Sequence, residues 1–243
     1  MATLILVRHG RTTANAAGIL AGRLPGVLLD ETGERQATRA AERLAGVPLT
    51  AVVTSPQERC RQTAKAVLSA QRDAGRSLRA TTDRALAECD YGDWQGRPLK
   101  ELAREKLWRT VQAQPSAAAF PGGESLVQMQ QRAVAAVRRR DAAITDQHGA
   151  DAVWVAVSHG DVIKSVLADA LGLHLDLFQR VHVDPASISV VRYTAERPFV
   201  LGTNTHAGDL GWLAPPPRAR RRRKAGDAEV GGGAGPEPAG DAG

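Results

Sequence analysis

Two short apolar runs, each ending in a histidine and a glycine, constrain this chain more than any other feature. Leu4-Ile5-Leu6-Val7 runs into Arg8-His9-Gly10, and Val153-Trp154-Val155-Ala156-Val157 runs into Ser158-His159-Gly160. Continuous apolar runs of this length predict strands buried on both faces, with the glycine allowing a tight turn directly after the histidine. In open α/β sheets, ligands bind in the crevice beyond the carboxyl ends of the strands. Two histidines delivered there from opposite ends of the chain can therefore meet over one substrate.

The segments between the two runs alternate helix and strand signals, which predicts an α/β sheet. Thr32 is read as the cap of a helix with Ala37, Ala40, Ala41 and Leu44 on one face, stopped by Gly46 and Pro48. Ala51-Val52-Val53-Thr54 is a short buried strand. Ser55 and Pro56 are read as the cap and first-turn residue of a helix whose inner face carries Cys60, Ala64, Val67 and Leu68. Leu78 to Thr82 is a weaker strand candidate. Residues 83 to 122 read as an irregular insertion over the carboxyl edge of the sheet, with one helix around Leu99 to Val111. Ser125 and Gln128 form a capping box for a long helix through Val134, Val137 and Ile144. An amphipathic helix with Val162, Ile163, Val166 and Leu167 follows the second histidine and stops at Gly172. Ile188 to Tyr193 and Phe199 to Gly202 read as closing strands.

Four clusters carry candidate chemistry. In Arg8-His9-Gly10-Arg11-Thr12-Thr13-Ala14-Asn15, a histidine at a strand end can act as a nucleophile. Arg8 offers a planar fork suited to phosphate, and Thr12 and Asn15 add neutral donors. Taken alone, the triplet is equally a strand ending in a charged turn. In Ser55-Pro56-Gln57-Glu58-Arg59, the arginine falls in the first turn of a helix, near the end where anions bind. In Glu88-Cys89-Asp90-Tyr91-Gly92-Asp93-Trp94, a half-buried carboxyl could serve as general acid, and the three carboxylates are rivals for that role. In Ser158-His159-Gly160-Asp161, His159 can donate to developing negative charge at a helix N-terminus. A metal site from His9, His159 and Glu88 is the competing reading. It lacks a His-x-His or His-x-x-x-His pair, and Arg8 and Arg59 would repel a cation.

The order and spacing of these clusters, with Pro121-Gly122-Gly123-Glu124-Ser125 between the last two, resemble the histidine phosphatase superfamily in its phosphoglycerate-mutase-like branch. The resemblance rests on Arg8-His9-Gly10-x-Thr12-x-x-Asn15, Ser55-Pro56-x-x-Arg59-x-x-x-Thr63-Ala64, Glu88-x-x-Tyr91-Gly92-x-Trp94-x-Gly96 and Ser158-His159-Gly160, and extends from Thr3 to about Gly211. It implies a three-layer α/β/α sandwich with a mostly parallel central sheet. It implies a phosphohistidine at His9, a phosphate pocket of Arg8, Asn15, Arg59 and His159, and Glu88 as proton donor. Thr12, Gly22 and Gly160 would add to the substrate site. No metal or other cofactor is implied. Mutases of the family usually carry a longer insertion and an arginine after the glutamate. Here Cys89 follows Glu88 and residues 97 to 120 are compact, so a phosphatase acting on a small phosphorylated metabolite is expected, with a phosphomutase as the alternative.

Composition bounds the rest. The chain has 243 residues, with a net charge of +6. No run of 18 apolar residues predicts a membrane span, and no signal peptide is read at the start, so a cytoplasmic protein is expected. Cys60 and Cys89 lack metal-ligand spacing and are read as half-buried thiols. The domain is expected over residues 1–214, followed by a disordered tail over 215–243 that is rich in Pro, Gly and charge. That tail carries six basic and four acidic residues, so +4 belongs to the body, which is compatible with an anionic substrate. Arg220 to Lys224 could contact nucleic acid or an acidic partner. The cluster is short and has no interleaved aromatics, so a solvated tail is the preferred reading. A homo-oligomer is left open.

Overall fold

A computed structural model describes residues 2–206. Six strands form one sheet in the order β3-β2-β4-β1-β5-β6. The strands are β1 (Thr3–Arg8), β2 (Ala51–Thr54), β3 (Ala80–Thr82), β4 (Val153–Ser158), β5 (Ile188–Tyr193) and β6 (Pro198–Thr205). The pairings β1–β4, β2–β4 and β2–β3 are parallel, while β5 runs antiparallel to both its neighbours. The helices are α1 (Thr13–Ala17), α2 (Glu31–Leu44), α3 (Glu58–Asp73), α4 (Leu99–Leu102), α5 (Lys106–Ala113), α6 (Leu126–His148) and α7 (Gly160–Ala170).

The alternation of side chains along β1 builds two cores. Leu4 and Leu6 join a cluster with Val137, Ile144, Val162 and Val166 of α6 and α7. Ile5 and Val7 join a second cluster with Ala40, Leu44, Cys60, Ala64 and Val67 of α2 and α3. A strand with both faces covered needs apolar residues at every position, which is why the run is continuous rather than alternating. The result is three layers, helix on sheet on helix, as the sequence implied.

Local departures from the expected elements have physical causes. Helix α2 is capped by Asp30, whose Oδ1 accepts from the Gly33 amide at 2.7 Å, rather than by Thr32. Asp30 also holds Arg11 at 2.8 Å, so one carboxylate caps the helix and pins the turn after His9. Helix α3 opens at Glu58, not at Ser55-Pro56. The Ser55 hydroxyl, expected as a cap, instead contacts His159 Nε2 at 2.6 Å. The single helix expected around Leu99 to Val111 is two, α4 and α5. Leu102 and Trp108 are both buried. On one straight helix they would point about 120° apart, and the break between α4 and α5 turns both inward. Trp108 then stacks on Trp94 with ring centroids 6.2 Å apart. Both cysteines are fully buried free thiols rather than half-buried ones. The boundary expected at residue 214 and the tail over 215–243 lie outside the described residues.

One contact missing from the sequence reading brings α2 against the strand end. A Cβ on Gly10 would lie 2.3 Å from the Gly33 carbonyl oxygen, and a Cβ on Gly33 would lie 1.9 Å from that of Arg11. Two glycines are needed for this backbone-on-backbone approach. Gly33→Ala is therefore expected to lower stability by about 1–3 kcal/mol through overpacking. Because the strain falls on the Gly10-Arg11 turn, turnover should drop with it. A thermal melt and a phosphatase assay check both, and an unchanged melt would show that α2 shifts freely.

Candidate active site

Strands β1 and β4 are adjacent and in register, with Arg8 opposite Ser158. That pairing sets His9 and His159 side by side at their carboxyl ends, ring centroids 5.2 Å apart and planes inclined by 63°. Both are buried, and so are Arg8, Arg59 and Glu88. The five residues singled out from the sequence as catalytic therefore share one enclosed site.

Hydrogen bonds fix the tautomer of each ring. His9 Nδ1 lies 2.7 Å from the Gly10 carbonyl, which can only accept, so Nδ1 carries the proton. Nε2 keeps its lone pair and faces Arg59 Nε at 3.3 Å. His159 Nδ1 accepts from Arg59 Nη2 at 3.1 Å, so its proton sits on Nε2. That Nε2–H meets Ser55 Oγ and Gln57 Oε1, the latter at 3.0 Å. Burial, and then the charge of Arg59, hold both imidazoles well below the usual histidine range, so both are neutral near pH 7.

Arg59 sits in the first turn of α3. Its Nη2 also donates to the Gly22 carbonyl at 2.7 Å. Its Nη1 is buried with no hydrogen-bond partner among the described residues. A buried guanidinium donor left open in this way suits an anion. Arg8 is anchored through Nη1 to the Val183 carbonyl at 2.9 Å. Gly160 is the first residue of α7, directly after His159 at the cap position.

The three rival carboxylates separate clearly. Asp93 is exposed, and Asp90 is 34% exposed in an ion pair with Arg23. Glu88 is only 3% exposed. Burial, and then the nearby carboxylate of Asp161, push its pKa up to about 7 against the pull of Arg59 and Arg8. Its Oε2 lies 3.8 Å from His159 Nδ1 and its Oε1 accepts from the Cys89 amide at 2.9 Å. Among the described residues no cluster of three His, Cys, Asp or Glu side chains is placed to hold a metal ion.

Thr12 and Asn15 form a reciprocal cap of α1, with Asn15 Oδ1 accepting from the Thr12 amide at 3.1 Å and from its hydroxyl at 2.8 Å. This orients Asn15 from the turn that carries His9. Sequence reasoning missed Ser55 and Gln57 as partners of His159, and Tyr91, which donates to Asp161 at 2.7 Å. It also missed Arg23, Glu124 and Arg132 around the Glu88 backbone. The Pro-Gly-Gly-Glu-Ser stretch was the one available signal for Glu124. Lys100, Arg104, Lys106 and Arg109, on and between α4 and α5, are all exposed, as a solvated face would be.

The model of the histidine phosphatase superfamily, branch 1, matches residues 4–206. The chain belongs to that superfamily. The curated relative named "Probable phosphoglycerate mutase GpmB" from Yersinia enterocolitica is 31% identical over 220 residues, covering 89% of this chain and 97% of that protein. The one named "Bifunctional protein Rv2228c" from Mycobacterium tuberculosis is 35% identical over 197 residues, covering 79% of this chain, and this chain spans 50% of its length. The solved mycobacterial glucosyl-3-phosphoglycerate phosphatase superposes with a TM-score of 0.72 at 26% identity, covering 83% of this chain and 98% of that one. This member of the histidine phosphatase superfamily thus shares its fold with a solved structure named as a phosphatase and its sequence with a mutase-named relative. None of its described helices is long and apolar enough to cross a membrane.

Proposed function

We propose that the protein is a metal-independent phosphatase that hydrolyses a small phosphomonoester through a phosphohistidine on His9. The observation that carries this reading is the state of His9. It is a neutral imidazole whose unprotonated nitrogen faces the buried, partly unpartnered guanidinium of Arg59.

Nε2 would attack phosphorus in line while Arg8 and Arg59 hold the nonbridging oxygens. Asn15 would add a donor to the same oxygens, and His159 would do so once it takes up a proton on Nδ1 or exchanges tautomer, with Thr12, Gly22 and Gly160 shaping the site around them. Glu88, protonated near neutral pH, would give its proton to the leaving oxygen and then take one from the water that breaks the phosphorus–nitrogen bond. Cys89 is buried in the core, so no cation stands directly after the acid to hold a second acidic group. This favours a phosphatase over a mutase. The mutase-named relative supports phosphoglycerate isomerisation as the second reading. A panel of phosphorylated metabolites, assayed in parallel for released phosphate and for phosphoglycerate isomerisation, separates the two. The reading places the enzyme in the cytoplasm, where two unpaired thiols persist.

Two arginines and a protonated carboxyl supply the charge and the proton that a Lewis acid would otherwise provide. Exhaustive treatment with a chelator is therefore expected to leave turnover unchanged. Loss of activity, restored by one divalent ion, would overturn that part of the proposal.

A further inference from the structure

We propose that Arg23 is a positioning residue that registers the acid Glu88 against the phosphate held by Arg59. The inference rests on the reading of Glu88 as proton donor and extends it to a side chain outside the four clusters.

The segment Gly22-Arg23 touches both halves of the site. The Gly22 carbonyl takes Arg59 Nη2 at 2.7 Å. One residue later, Arg23 Nε donates to the Glu88 carbonyl at 2.8 Å. Its Nη1 meets Asp90 Oδ2 at 3.3 Å and its Nη2 meets Glu124 Oε1 at 2.8 Å. Each of the three nitrogens of this guanidinium is thus engaged by the acid loop and its support, as a brace would be. On the other side, Arg132 of α6 donates to the same Glu88 carbonyl at 3.0 Å and to Glu124 Oε2 at 2.9 Å. Glu124 Oε1 also accepts from the Asp90 amide at 2.9 Å. Arg132 fixes the acid loop to the long helix. Arg23 fixes it to the segment that holds the phosphate-facing arginine.

Proton transfer requires the carboxyl to reach the bridging oxygen of a phosphate whose place Arg59 sets. A displacement of about 1 Å between acid and phosphate can cost on the order of 100-fold in rate. The charged groups acting most strongly on Glu88 are Asp161, Arg59 and Arg8. Removing Arg23 should therefore move the acid more than it retunes it.

The test compares wild type with Arg23→Met, Arg23→Lys and Glu88→Gln on an alkyl phosphate and on an aryl phosphate with an acidic leaving group. For Arg23→Met we expect kcat on the alkyl substrate to fall about 10- to 100-fold and on the aryl substrate by less than about 3-fold. The alkaline limb of the pH–rate profile should stay in place. Arg23→Lys, which keeps one donor but not the fork, should fall between. Equal losses on both substrates, a shifted alkaline limb, or no loss in either Arg23 variant while Glu88→Gln keeps its leaving-group pattern, would overturn the role of Arg23 alone. Absence of the pattern in Glu88→Gln would instead remove the reading of Glu88, and this inference with it.

Discussion

His9→Ala is expected to reduce turnover of every phosphomonoester by on the order of 10⁴-fold or more, because the first covalent bond then has no nucleophile. The loss should be as large for an activated aryl phosphate as for an alkyl one, since both need the same attack. The fold should survive. The imidazole donates to the neighbouring Gly10 carbonyl, accepts from Arg59 Nε, and is not part of either apolar core. Rapid quench of the wild type and labelled substrate into alkaline denaturant should trap a phosphoenzyme that is base-stable, acid-labile and absent from the variant. A variant that melts normally and keeps near wild-type phosphatase activity would remove the phosphohistidine mechanism.

Glu88→Gln has the second largest expected effect, and its size should depend on the substrate. Expelling an alkoxide without a proton is costly, so alkyl phosphate hydrolysis should fall by about 10²- to 10⁴-fold. An aryl phosphate with an acidic leaving group departs unaided in the first step and should lose much less. With a pKa raised to about 7, the wild type should also lose kcat/KM on alkyl substrates as pH rises above that value. The same shift has a signed effect on stability. The folded-state pKa lies above the ordinary value of 4.5, so the native fold disfavours the ionised form. Wild-type stability relative to Glu88→Gln is then fully present below about pH 4.5 and is lost as pH rises through 7, by on the order of 3 kcal/mol. Denaturant melts of both proteins at pH 4 and pH 8 check the sign. The leaving-group pattern appearing in Asp90→Asn instead would move the acid role to that residue.

The parts of this architecture that were legible in the sequence are those fixed by local chemistry. Leu4 to Val7 and Val153 to Val157 had to be strands buried on both faces, and the Ser125–Gln128 box had to open a helix. The arginine at the start of α3 was legible because helix position alone places it at an anion-binding end. What stayed hidden was decided by contacts between distant segments. Ser55 looks like a helix cap until His159, 104 positions away, takes its hydroxyl. The residues alone leave Glu88, Asp90 and Asp93 as rivals; the family resemblance picks Glu88, and burial supplies the physical reason. Nothing local marks Gly33, whose need appears only when the Arg11 carbonyl is found against it. Arg23 belongs to no motif read at the start, because its partners lie at 88, 90 and 124.

The β1–β4 pairing makes catalytic competence a late event in the life of the chain. The two histidines are separated by 150 positions, and β1 must wait for β4 before they meet. A ribosome that has released β1 through β3 has delivered His9 and Arg59 with no strand between β2 and β1 to set them in register. Long-range closure of this kind is slow to form, since the entropy of the intervening loop is lost before the contact stabilises anything. On the proposed mechanism, early N-terminal intermediates carry a nucleophile without its pocket, and phosphoryl transfer during refolding becomes a reporter of central strand insertion rather than of collapse.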